Sequence, residues 1–193
     1  MAKWQDLVLE LSESKTMHEK TRNTEPTLGA QTIIAGTTRD EMILKAKRMN
    51  ERGERVAVAY LGEFVHSRRL ARTATEELLR VIDALVLHDI AGYISIKLSQ
   101  LGLDIEEAFC YGNVEAIVQK AAKHNIYVSF DMEDYTRLQV TYDIYDMLKE
   151  KYNNLSAEVQ AHLYRSEDDI VRYDNVPLRI VKGSFGERIA VAF

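Results

Sequence analysis

Five charged or amide side chains are set into short apolar runs of this chain, and each is expected near the C-terminal end of the strand that its run forms. A charge buried among apolar residues costs free energy unless it is paired or used. Because such residues recur on four runs, the pattern predicts a site for a small charged ligand. The five residues are Lys97, Asp131, Gln160, Arg179 and Lys182.

Each of these residues also has a purely structural explanation. Lys97 and Asp131 lie on successive runs and could meet as a buried ion pair at the rim of the fold. Arg179 could extend from the rim into solvent, and Gln160 could satisfy a backbone group. The coincidence of several such residues, rather than any one of them, favours a ligand site.

The apolar runs alternate with amphipathic segments along the chain. Residues 1–30 are expected to form an N-terminal helical segment, and residues 31–193 one α/β domain. Thr38 and Glu41 are spaced as a capping box at the start of the first helix of that domain. The predicted strands are 32–36, 56–61, 93–98, 126–131, 158–163 and 178–183, and the predicted helices are 38–51, a long one after Ser67, 106–123, 137–151 and 167–173.

Strands that are buried on both faces and separated by helices predict a parallel sheet. An open doubly wound sheet and a closed barrel both remain possible from the alternation alone. No glycine-rich phosphate motif follows the first predicted strand, and the polar residues are spread over many strand ends, which favours the barrel. We therefore expect a TIM-type (βα)8 barrel, with about six βα units in this chain.

Side-chain parity on the predicted strands sharpens that expectation. Alternate residues of a strand share a face, so Ser95 shares a face with Lys97, and Ser129 with Asp131. In both strands a small serine lies one layer below a charge. These faces are expected to point into the barrel lumen, as is the face that carries Gln160 and His162.

Composition excludes several other classes of protein. The formal net charge of −5 gives no electrostatic footprint for nucleic acid. No apolar run approaches the roughly 20 residues of a membrane span, and the first residues lack the layout of a secretory signal. Cys110 is the single cysteine and is expected to pack in a core, and the histidines lack paired metal-ligand spacing. The sequence thus predicts a cytoplasmic protein without a metal site.

Five motifs together resemble those of bacterial proline dehydrogenase in its single-function form, in order and spacing from about residue 30 to the last residue. As a group they are specific, although each alone would be weak. They are Leu61-Gly-Glu-Phe-Val65, Ser95-Ile-Lys-Leu-Ser-Gln-Leu-Gly-Leu-Asp-Ile105, Asp131-Met-Glu-Asp-Tyr-Thr-Arg137, Gln160-Ala-His-Leu-Tyr-Arg165 and Leu178-Arg-Ile-Val-Lys-Gly183.

The resemblance implies an FAD-dependent barrel that oxidises L-proline to 1-pyrroline-5-carboxylate and passes electrons to a quinone, at the inner face of the membrane. On that reading, Lys97 contacts the proline carboxylate and Asp131 orients the network on the substrate side. Gln160, Arg179 and Lys182 resemble the flavin contacts, with Arg179 near flavin N5. Fixed cations beside a flavin raise its electron affinity, which agrees with these assignments.

The chain also departs from the family pattern. Ala59 stands where the family usually has an acidic residue, and His162, Phe185 and Gly186 replace larger or phenolic residues. Family chains continue into two further strands and a last helix bearing a tyrosine and paired arginines, so we expect a fragment. The alternative hypothesis is a non-catalytic binding or assembly module that self-associates through an open barrel edge.

Overall fold

The computed structural model describes residues 34–183 and 190–192, in which helices and strands alternate in chain order. The described residues up to Met42 belong to one compact unit, and Ile43–Phe193 to a larger one that holds the sheet. None of the helices in this described part is long and apolar enough to cross a bilayer. The elements are α1 (Arg39–Glu51), β1 (Val56–Ala59), α2 (Arg68–Leu87), β2 (Gly92–Ile96), α3 (Glu107–Ala122), β3 (Val128–Phe130), α4 (Tyr135–Lys149), β4 (Leu155–Gln160), α5 (Ser166–Arg172) and β5 (Leu178–Val181).

The start of α1 follows the predicted capping box. The hydroxyl of Thr38 accepts a hydrogen bond from the Glu41 backbone N–H at 3.3 Å, and the Glu41 carboxylate accepts one from the Thr38 N–H at 3.3 Å. Two backbone donors that the first helical turn leaves unpaired are thereby satisfied. The local sequence alone accounts for this helix start.

The five strands form one parallel sheet in the order β1-β2-β3-β4-β5. Each strand pairs with the next one along the chain, and a doubly wound sheet would instead reverse its strand order. Since parallel crossovers are right-handed, an unreversed order places the helices on one side of a curled sheet. The result is an α/β half-barrel, which confirms the barrel class but not a count of eight units.

The strand boundaries differ from the predicted ones in a consistent way. Strand β4 begins three residues before the predicted start at 158. Apolar Leu155, Ala157 and Val159 alternate along it with polar residues, of which Glu158 lies on the side of Arg179. That alternation is the period-two pattern of a strand with unlike faces. His162 consequently lies beyond the strand on which it was predicted.

The remaining strands end before their predicted last residues, so Lys97 and Asp131 each directly follow a strand. The first predicted strand, 32–36, falls partly outside the described residues, and its described part, 34–36, is not a strand. The predicted N-terminal helical segment, 1–30, lies wholly outside the described residues.

The core between the sheet and the helices contains a cluster of aromatic rings. Tyr145 lies edge-on to Phe130 and to Tyr173, with centroid distances of 5.3 and 5.4 Å, and Tyr142 lies 5.0 Å from Tyr173. All four side chains are fully buried. Burial of each contributes about 1.5–3 kcal/mol, and edge-on packing adds roughly 0.5–1.5 kcal/mol a pair. This cluster fixes α4 and α5 against the sheet.

Candidate active site

Four of the five candidate residues lie at or near the C-terminal ends of their strands. Arg179 lies near the start of β5, but the pairing register places it beside Glu158 and level with Asp131. Lys97 directly follows β2, Asp131 directly follows β3, and Gln160 is the last residue of β4. Arg179 is the second residue of β5, and Lys182 follows the last. Because parallel strands run in one direction, their C-terminal ends meet at one edge, where barrel enzymes place their sites.

Arg179 is the centre of the lumen network. Its Nη2 donates to Asp131 Oδ1 and to Glu158 Oε2, and lies 3.4 Å from Ser95 Oγ. Its Nε donates to Glu158 Oε2 at 2.8 Å. Burial opposes the charge of Arg179, but attraction to Asp131 and Glu158 outweighs it and raises the pKa. Arg179 is thus a fixed cation and does not extend from the rim into solvent.

Asp131 is tied to the neighbouring strand as well as to Arg179. The hydroxyl of Ser95 donates to Asp131 Oδ1, and the backbone N–H of Asp131 donates to the Ile96 oxygen at 2.9 Å. Ser95, 5% exposed, is the small residue predicted one layer below a charge. Its hydroxyl and the guanidinium of Arg179 donate to the same oxygen of Asp131, which fixes the carboxylate from two sides.

Lys97 pairs with Glu63 and Asp131 with Arg179, so an ion pair between Lys97 and Asp131 does not explain these two residues. The Nζ of Lys97 lies 2.6 Å from Glu63 Oε2, and the two side chains are 36% and 33% exposed. Burial opposes the charge of Lys97, but the Glu63 carboxylate outweighs it and raises the pKa of the lysine. The carboxylates of Glu133 and Asp131 add smaller attractions that act in the same direction.

The loop that carries Glu63 is held by Ser99. The Ser99 hydroxyl accepts from the Phe64 N–H and its carbonyl from the Val65 N–H, both at 3.0 Å. A Cβ on Gly62 would come within 2.5 Å of the Gln100 amide nitrogen, so the end of the Gln100 side chain would have to shift to admit a larger residue. These contacts place Glu63 beside the end of β2.

Glu133 anchors the same cluster from the end of β3. It is 1% exposed, its Oε1 accepts from the Ser99 N–H at 2.9 Å, and its Oε2 accepts from the Ser99 hydroxyl. Burial raises the pKa of Glu133 despite these hydrogen bonds. The loops after β1, β2 and β3 are therefore joined through one serine and one buried carboxylate.

Gln160 is 2% exposed and only half satisfied. Its Nε2 donates to the carbonyls of Met132 at 3.1 Å and Glu133 at 2.8 Å, so the backbone role predicted as an alternative is real. Its Oε1 is buried and has no hydrogen-bond partner among the described residues. A buried acceptor without a donor is uncommon in proteins and indicates a place for a ligand N–H or O–H group.

Lys182 is brought close to the site by its backbone rather than by its side chain. Its carbonyl accepts from the His162 N–H at 3.1 Å, and its side chain is exposed. Gly183 has φ +87° and presses against the His162 ring, since a Cβ there would lie 1.7 Å from Nδ1. Phe185 and Gly186, two of the departures from the family pattern, lie outside the described residues.

Three carboxylates of the site were not among the candidates, namely Glu63, Glu133 and Glu158. Glu158 alternates with Ser156 and Gln160 on the lumen face of β4, and this alternation could have revealed it. Glu63 and Glu133 lie in loops, where no periodic pattern marks a residue as inward-facing. By contrast Cys110 is a packing residue as predicted, fully buried with its pKa raised by burial to about 12.

Sequence comparisons relate the chain to known proteins. The proline dehydrogenase family model matches residues 42–185. Proline dehydrogenase 2 of Bacillus subtilis (strain 168) is 39% identical over 190 residues, which are 97% of this chain and 63% of that protein. Proline dehydrogenase of Deinococcus radiodurans is 28% identical over 85% of this chain and 55% of its own length.

The fold is likewise similar to that of solved structures. Proline utilization A (PutA) from Bdellovibrio bacteriovorus, inactivated by N-propargylglycine, superimposes with a TM-score of 0.68 and 19% identity, over 78% of this chain and 20% of that one. The chain spans less than two thirds of the length of its curated relatives. With a family match over most of its residues and a half-barrel of the same fold, the chain belongs to the proline dehydrogenase family.

Proposed function

We propose that this chain provides the lumen face of an FAD-dependent enzyme that oxidises L-proline to 1-pyrroline-5-carboxylate. The observation that carries the proposal is the network around Arg179, which fixes one cation between Asp131 and Glu158 in the lumen. A second cation, Lys97, lies at the same edge of the sheet and also feels the charge of Asp131. Two cations held by carboxylates suit a redox ring and a small zwitterion.

The described residues fit a flavin. Its ring system offers an imide N–H and carbonyl oxygens, and the unpartnered Oε1 of Gln160 is a buried acceptor for such a donor. Arg179 keeps 31% of its side chain exposed and would hold the ring together with Gln160 and Lys182. When bound, the flavin would take up a hydride from the proline ring at N5 and pass the electrons to a quinone. Arg179 would favour the negative charge that then develops.

Lys97 is the proposed contact for the proline carboxylate. Its ammonium already holds the carboxylate of Glu63 at 2.6 Å, so its position suits that kind of partner. A substrate carboxylate would compete with Glu63 for this ammonium. Asp131, fixed by Ser95 and Arg179, would orient the substrate side of the same network.

Anaerobic addition of L-proline to the FAD-loaded protein tests this function. We expect the absorbance of oxidised flavin to disappear with L-proline and to persist with L-alanine, which lacks the ring. Arg179→Met should abolish the effect, while Arg80→Met, at an exposed ion pair on α2, should leave it unchanged. A protein that binds FAD but shows no bleaching with L-proline would contradict the proposal.

A binding or assembly module is the second candidate, and one observation favours it. In the described part of the chain β1 and β5 each pair with a single neighbour, and Ile180 on β5 is 61% exposed. Open strand edges of this kind are sites of association between chains. Size-exclusion chromatography separates the candidates, because a flavin-free monomer would contradict this one and a flavin-free dimer would support it.

A further inference from the structure

Glu158 is a buried carboxylate that none of the proposed contacts with flavin or proline uses. It is 5% exposed and lies on the lumen face of β4, two residues before Gln160. The pairing register of β4 and β5 places it directly beside Arg179. A carboxylate in such a position costs free energy unless its partners compensate, so its contacts indicate what it does.

The two carboxylate oxygens of Glu158, on β4, bind groups of the two strands on either side of it, β3 and β5. Oε1 accepts from the backbone N–H of Met132, the second residue after β3, at 3.2 Å. Oε2 accepts from Nε of Arg179 at 2.8 Å and also from its Nη2. One oxygen thus anchors the carboxylate to the backbone while the other holds the guanidinium.

Asp131 and Glu158 hold different parts of Arg179. Asp131 accepts a hydrogen bond from Nη2 only. Glu158 accepts hydrogen bonds from both Nη2 and Nε. Because a guanidinium is planar, bonds at Nε and at Nη2 together fix both its position and the direction of its plane. Without Glu158, the hydrogen bonds from Nη2 to Asp131 and Ser95 would remain, but the Nε–H would lose its carboxylate acceptor.

We propose that Glu158 is a positioning residue that fixes the plane of the Arg179 guanidinium, and that its carboxylate also offsets the positive charge that Arg179 presents to the redox cofactor. The positioning role depends only on contacts between residues of this chain. The charge role rests on the proposed function, because it requires a flavin in the site.

The charges around Glu158 support the proposal that it offsets the positive charge of Arg179. It faces the guanidinium of Arg179 on β5 and the carboxylate of Asp131 after β3, and its backbone oxygen accepts from the Tyr142 hydroxyl on α4 at 3.2 Å. Burial raises the pKa of Glu158 and Asp131 raises it further, although Arg179 opposes both. Two carboxylates share one guanidinium, so removal of the charge at position 158 leaves the site more positive.

The side-chain Nε–H signal of Arg179 in a nitrogen-15 NMR spectrum of the ligand-free chain tests the positioning role. We expect slow exchange with solvent in the wild type, and exchange at least about 10-fold faster in Glu158→Leu, where the acceptor is lost. Arg179→Lys removes the signal and so assigns it. The Nε–H of Arg165, bonded to Asp169 at 2.8 Å, is the internal control and should not change.

Equal protection of Arg179 in the wild type and in Glu158→Leu would overturn the positioning role. If Glu158→Leu does not fold, which loss of the Arg165 signal would reveal, Glu158→Gln decides. This variant keeps the shape but offers one neutral acceptor, and we expect exchange between that of the wild type and that of a free arginine. Wild-type protection in Glu158→Gln would likewise overturn the role.

The midpoint potential of the FAD-loaded protein tests the charge role. We expect Glu158→Gln to shift the potential to a more positive value, because it removes a negative charge next to Arg179. Glu115→Gln, the same change at an exposed ion pair on α3, is the matched control and should leave the potential unchanged. An unchanged or more negative potential in Glu158→Gln would overturn the charge role. If the wild type retains no flavin, the proposed function fails, while the NMR result still decides the positioning role.

Discussion

The two faces of the sheet are both buried, yet they are built from opposite chemistry. Phe130 and Asp131 are neighbours in sequence, but Phe130 packs in the aromatic cluster under α4 while Asp131 binds Arg179 in the lumen. On the helix side, burial of apolar rings stabilises the fold whichever partner they touch. On the lumen side, each charge requires one particular partner. The helix face therefore carries stability and the lumen face carries the site.

Loss of an aromatic ring from the helix face should have the largest effect on stability. Tyr145→Ala removes a fully buried side chain that touches Phe130 and Tyr173, and we expect a loss of about 3–5 kcal/mol in unfolding free energy. Tyr145→Phe is the matched control, and its effect should be near zero because the hydroxyl has no hydrogen-bond partner among the described residues. Urea titration measures both values. A similar loss in the two variants would mean that the hydroxyl, not the ring, matters here.

Among changes on the lumen face, loss of the Arg179 cation should lower the unfolding free energy the most. Arg179→Met leaves Asp131 and Glu158 without their shared partner. We expect a loss of roughly 2–3 kcal/mol, below the range of about 3–5 kcal/mol for fully buried pairs, since 31% of the arginine side chain is exposed. Arg80→Met, at an exposed pair, should cost less than about 1 kcal/mol. Equal stability of the two variants would show that the lumen network is only a surface contact.

Lys97→Met should separate substrate binding from folding. In the active protein we expect the KM for proline to rise about 10- to 100-fold, because one charged hydrogen bond to the carboxylate is worth roughly 1.5–3 kcal/mol. Stability should change little, as the pair with Glu63 is about one third exposed. Lys120→Met removes a similar pair with Asp83 between helices and should leave KM unchanged. Steady-state kinetics measure the KM of each variant. An unchanged KM in Lys97→Met would show that Lys97 does not bind the proline carboxylate.

The pH dependence of stability should show the smallest effect, at Glu133. Burial raises the pKa of Glu133 above its ordinary value of 4.5, so the folded state binds this proton more tightly than the unfolded state does. Its contribution to stability is therefore complete below the ordinary pKa and is lost as pH rises through the raised one. Glu133→Gln should flatten this decline in denaturant titrations between acidic and neutral pH. A decline as steep as that of the wild type would assign it to another group.

Much of the site was predictable from local sequence because strand direction and parity are local properties. Lys97, Asp131 and Gln160 were expected at the C-terminal ends of strands and lie there, and Ser95 lies under a charge as parity required. The partner of Lys97 was not predictable. Glu63 lies 34 residues earlier, in a loop held by Ser99, and no periodic pattern marks it.

The partners of Arg179 show the same limit. Glu158 and Asp131 are 21 and 48 residues away along the chain, and they reach one guanidinium only because β3, β4 and β5 lie side by side. The sequence by itself determined the alternation of helices and strands, the face on which each strand residue lies and the family, since these follow from periodicity and motif spacing. Only the tertiary structure decided which charges meet, because the energy of an ion pair depends on distances of a few ångströms that strand register and loop packing set.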